Sequence, residues 1–81
     1  MSRLPVLKSR DIISALERAG FQEHRQKGSH KIFKKEHLRV TVPVHPRDLK
    51  RGTVRSIIEQ SGLEEDEFIG LLGAQGVKRE R

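Results

Sequence analysis

Two apolar stripes of helical period bracket residues 21–52, and the strand and turn signals inside that bracket leave few folds open. The first stripe is Ile12, Ile13, Leu16 and Ala19, with Ser9 as its expected N-cap and Gly20 as the residue that ends it, so a helix is predicted over 10–19. Leu4-Pro5-Val6 before it reads as extended, because proline disfavours helix in the residue it follows. The second stripe is Val54, Ile57 and Ile58, with Thr53 as expected N-cap and Gly62 as stop. In between, residues 21–26 are weakly strand-like, and Lys27-Gly28-Ser29 signals a turn. Residues 30–35 carry Ile32 and Phe33 among basic groups, and Glu36-His37 is a second turn. Leu38-Arg39-Val40-Thr41-Val42 alternates cleanly, and Pro43 and Pro46 mark where its pairing stops. A short third helix is expected over 64–72, its acidic first turn suited to the positive end of the helix dipole, with Phe68, Leu71 and Leu72 docking it.

The order predicts an α+β fold, α-β-β-β-α, with a three-stranded antiparallel sheet covered by helices on one face and a short C-terminal helix. The chain has 81 residues, room for one small domain and too few for a doubly wound nucleotide-binding fold or a barrel. Residues 1–72 form that domain, and 73–81 have little to bury and read as a disordered tail. No cysteine is present, so no disulfide or thiolate zinc site staples the fold, and a reducing cytoplasm is the plain reading. No apolar run is long enough to span a bilayer, and no signal-peptide core is visible.

Charge is unevenly placed. The net is +6, and residues 22–51 alone sum to +6, against +2 before them and −2 after. A basic centre in a small domain points to a polyanion, of which nucleic acid is the commonest. If Glu36-His37 is a two-residue turn, Lys35 pairs with Leu38 and Phe33 with Val40. Leu38, Val40, Val42 and Phe33 then face the helices, while His30, Ile32, Lys34, Arg39 and Thr41 make an open basic face. Ile32 fits that face least well.

The four histidines, His24, His30, His37 and His45, lack the spacing of paired metal ligands, so no metal and no cofactor is expected. No phosphate-binding glycine loop is present. His30 differs from the rest. It follows Gly28-Ser29 at a hairpin turn, where backbone comes close to a ligand, and Lys27, Lys31 and Lys34 surround it in sequence. Such cations favour the neutral imidazole, the form that accepts a proton. On these residues alone, a surface or phosphate-contacting histidine competes with a catalytic one. Ser29 in turn suits either turn stabilisation or substrate contact.

Several words occur in a telling order: Leu4-Pro5-Val6-Leu7-Lys8-Ser9, Ala19-Gly20-Phe21, Gly28-Ser29-His30, Val42-Pro43-Val44-His45, Leu49 to Ile57 with Gly52-Thr53-Val54 inside it, and Gln60-Ser61-Gly62-Leu63 before Phe68. Together they resemble the HicA (YcfA-like) family of bacterial toxins from about residue 4 to residue 72. The resemblance implies a fold like the double-stranded-RNA-binding domain. It also implies a metal-independent mRNA-cleaving endoribonuclease (an mRNA interferase) of a type II toxin–antitoxin pair, neutralised by a HicB-like antitoxin. It implies that His30 is the catalytic residue, with Gly28 and Ser29 completing its motif. Lys27, Lys31 and Lys34 are then assigned to substrate phosphates, and His45 is a candidate second proton carrier. Two departures stand out: Glu64 where a small N-cap residue is usual, and a polar Gln22-Glu23-His24 where an apolar strand is common. The alternative is a non-catalytic RNA-binding module. Only Arg55 appears basic in Gly52-Thr53-Val54-Arg55, the expected start of the second helix, and that argues against duplex binding.

Overall fold

The computed structural model describes residues 4–80, and side chains over residues 4–72. Six elements follow one another: α1 (Ser9–Arg18), β1 (Gln22–Lys27), β2 (His30–Lys35), β3 (Leu38–Pro43), α2 (Arg51–Ser61) and α3 (Glu65–Glu80). This is the expected α+β order of the double-stranded-RNA-binding-domain type. The strands form one antiparallel sheet in the order β1-β2-β3. The helix expected over 64–72 begins at Glu65 and its backbone is helical to Glu80. The disordered tail expected over 73–81 falls outside the residues whose side chains are described.

α1 ends as its sequence dictates. Gly20 takes φ 102°, Phe21 N–H donates to Leu16 O (3.0 Å), and Gly20 N–H donates to Glu17 O (3.0 Å). This is the Schellman arrangement, with Phe21 buried behind it. The start differs from expectation. Lys8 occupies the N-cap, and its N–H is taken by the Asp11 carboxylate (3.0 Å). Ser9 is already helical, and its hydroxyl is committed elsewhere. α2 likewise starts before the expected cap: Lys50 is the N-cap without a side-chain cap bond, and Thr53 lies inside the first turn. At α3, Glu67 Oε1 accepts the N–H of Glu64 (2.9 Å), which compensates for the missing small N-cap side chain.

The sheet register matches the one read from the turns: Lys35 opposes Leu38, Phe33 opposes Val40, and His30 opposes Pro43. Phe33, Val40 and Val42 are therefore turned inward and fully buried. They meet Ile12, Ala15 and Leu16 of α1, Val54, Ile57 and Ile58 of α2, and Phe68 of α3. Leu7 and Leu49 close one end of this core through an antiparallel bridge, Leu49 N–H to Leu7 O at 2.8 Å. β1 is a polar edge strand with every residue exposed. A bulge falls between Glu23 and Arg25, so His24 is the unpaired extra residue. The helices cover one face of the sheet and leave the other open.

Candidate functional site

The open face is built from strand alternation alone. Lys27 opposes His30 across a two-residue turn, and Gly28 takes φ 61° while Ser29 stays at negative φ. That sign pattern suits a tight hairpin of right-handed twist, and glycine is the residue that reaches it without strain. The turn is tied on both sides. Gln26 Nε2 donates to Gly28 O (3.0 Å), and Val44 N–H donates to Ser29 O (2.7 Å). So Gly-Ser-His and Val-Pro-Val-His, separate words in the sequence, lie against each other in space.

His30 starts β2 on the open face, exposed, beside Pro43. Lys27 is its partner on β1, and Lys34 lies on the same face toward the other end of β2. Pairing adds Arg25, opposite Ile32, and Arg39, opposite Lys34. Four cations, Arg25, Lys27, Lys34 and Arg39, thus share one exposed surface with His30, and none has an acidic partner within 4 Å among the described residues. Ile32 is half-buried between them. Arg25 carries a sequence signal of its own: two residues before Lys27, it must share the same face if the stretch is a strand.

Lys31 is not brought to this face. It follows His30 on the same strand, so it points to the helix side, where its ammonium meets the Glu23 carboxylate at 3.4 Å. Gly28 and Ser29 form the turn itself. His24 is the bulge residue and His37 sits in the second turn, both exposed.

His45 is held more firmly than the other histidines. Its Nδ1 accepts the backbone N–H of Arg47 (3.2 Å), and its own N–H donates to Ser9 Oγ (3.3 Å). The Ser9 hydroxyl donates in turn to Pro43 O (2.6 Å). Lys8 Nζ adds bonds to Pro46 O (3.2 Å) and Asp48 Oδ1 (3.0 Å). The first turn of α1 therefore fixes the loop 44–50 that runs past His30. With Nδ1 used as an acceptor, Nε2 is the ring nitrogen left open to a partner.

Among the described residues, no three His, Cys, Asp or Glu side chains are grouped so as to hold a metal ion, and no helix is long and apolar enough to cross a membrane. The arrangement is an exposed imidazole at a rigid hairpin tip, set in a field of unpaired cations. Such a surface can bind a phosphodiester and offer it one proton-transferring group. No curated protein matches the chain. A family model described as the HicA toxin of bacterial toxin–antitoxin systems matches residues 9–63, about two thirds of the chain, and spans α1, the whole sheet with its Gly28-Ser29-His30 turn, and α2. On that match, the chain belongs to the HicA toxin family.

Proposed function

We propose that this toxin is an endoribonuclease that cuts mRNA without a metal ion, uses His30 for proton transfer, acts in the cytoplasm, and is neutralised by a HicB-like antitoxin. The observation that carries the reading is His30 itself: it is exposed at the start of β2, directly after the Gly28-Ser29 turn, on the face that gathers Arg25, Lys27, Lys34 and Arg39. RNA carries its own nucleophile. The 2′-oxygen attacks the adjacent phosphorus, the 2′ proton passes to a base, and the bond from phosphorus to the 5′-oxygen breaks as that oxygen takes a proton from water, the base afterwards returning its proton to the solvent. The products are a 2′,3′-cyclic phosphate and a 5′-hydroxyl. His30 takes the 2′ proton. Lys27 and Lys34 hold the phosphate, and the cationic face stabilises the charge that builds on its oxygens. Lys31, on the opposite side of β2 beside Glu23, has no part in that set.

The test is cleavage of a long single-stranded RNA in EDTA by the wild type and by His30→Ala. The wild type should leave 2′,3′-cyclic ends, and loss of the positioned proton carrier should slow cutting by about 10²–10⁴-fold. Equal cutting by both would remove His30 from the reaction. Binding without cutting by either would favour the second reading, a non-catalytic RNA-binding module. One observation supports that reading: α2 opens with Lys50 and Arg51 and carries Arg55 one turn on, so its start is more basic than the four residues from Gly52 suggest.

A further inference from the structure

The basic face does not stop at His30. Pro43, its cross-strand neighbour, is also the first wall of a cleft of about 360 Å³ between the end of β3 and the start of α2. His45, Arg47, Asp48, Leu49, Lys50 and Thr53 line the rest. Arg47 and Lys50 are exposed and have no acidic partner within 4 Å among the described residues. The one acid on the wall, Asp48, is already paired with Lys8 at 3.0 Å. His45 has Nε2 open to the cleft's occupant, because Nδ1 is taken by the Arg47 N–H at 3.2 Å, and in the neutral ring that leaves Nε2 as a donor. The cleft thus offers donors and positive charge with its carboxylate neutralised from outside, and it shares a wall with the strand position opposite His30.

The geometry points to a second phosphate subsite: the cleft takes the RNA phosphate next to the one at His30, held by Arg47, Lys50 and the Nε2–H of His45. The inference rests on the RNA-cleaving reading and deepens it, since it fixes the path of the strand from the hairpin tip past Pro43 toward α2. It also assigns His45 to binding and not to the role of base, because its Nδ1 lone pair is taken by the Arg47 N–H at 3.2 Å.

Two measurements decide it. The first is binding of a fluorescein-labelled single-stranded RNA 12-mer to the non-cutting His30→Ala chain, alone and with Arg47→Ala and Lys50→Ala added. All three side chains are exposed, so the variants should fold, with thermal melts matching the parent's as the check. The added changes should weaken binding at least tenfold and lower the slope of log affinity against log salt by about 0.7 for the phosphate lost. Arg18→Ala, one charge removed at the far end of α1, should leave both unchanged. The second is steady-state cleavage by His45→Gln in the otherwise native chain: KM should rise several-fold with kcat nearly kept, whereas a proton carrier would lose about 10²–10⁴ in kcat. Unaltered affinity and salt slope in a protein whose wild type cuts RNA would overturn the cleft and leave the His30 reading standing. A collapse of kcat in His45→Gln would overturn the binding role. Absence of both RNA cutting by the wild type and RNA binding by His30→Ala would overturn the reading beneath and the subsite with it.

Discussion

Ser9 stands in the first turn of a helix, yet its hydroxyl serves another part of the chain. It is 5% exposed, donates to Pro43 O at 2.6 Å and accepts from His45 N–H at 3.3 Å. Removing it would strand a carbonyl and an amide at the base of the proposed site. Ser9→Ala should cost about 1–3 kcal/mol, since groups left unpaired in a part-buried place lose their partner without gaining water. Urea unfolding should show a lower midpoint at unchanged slope, and an unchanged midpoint would mean water replaces the hydroxyl. Ser9 also shows why this position misleads a reader of sequence. Serine before an apolar helical stripe is a sound N-cap signal, but here a contact with β3, distant in sequence, uses the side chain, and Asp11 reaches back to the Lys8 amide instead. Lys31 teaches the same lesson at the site. Its place next to His30 in sequence puts it on the other side of the sheet, so nearness along a strand is a poor guide to a shared surface.

At the scale of elements, the two edges of the sheet are guarded differently. On β3, the outward N–H of Thr41 is taken by Gln60 Oε1 of α2 at 2.9 Å, and Pro43 has no N–H to offer. On β1, every residue is exposed, and the guards are charge and the bulge at His24. Deleting His24 would join Glu23 to Arg25 in an unbroken ladder while keeping each on its present face. The hairpin should survive, but with a flatter edge that pairs with itself. Sedimentation should then show stronger concentration-dependent self-association than in the parent, and unchanged behaviour would show that charge alone suffices. The strands themselves were legible because both turns have two residues, and alternation then fixes every side chain to a face. The bulge was not legible, since β1 is uniformly polar and carries no alternation to reveal an extra residue. The cleft was not legible either. It arises where a loop is pinned to α1 through Lys8 and Ser9, contacts that no local pattern announces.

For the whole molecule, the charge that concentrates in residues 22–51 becomes a surface, because the sheet turns Arg25, Lys27, Lys34 and Arg39 to the side the helices leave bare. On the proposed function, a HicB-like antitoxin blocks by laying an acidic complement over that side. The affinity of the pair should fall as salt rises, measured by calorimetry, and His30 should become inaccessible to imidazole-modifying reagent in the complex. A salt-independent affinity with His30 still reactive would mean inhibition by another route. The bonds that fix the site also have a timing. Ser9 meets Pro43 across 34 positions, Leu7 pairs with Leu49, and the core closes only when Phe68 of α3 is in place. A chain growing from its N-terminus carries Gly28-Ser29-His30 early, with Gln26 able to hold Gly28, but Val44 is not yet there to bond Ser29. The loop beside His30 is thus fixed late, by residues that lie far apart in the chain.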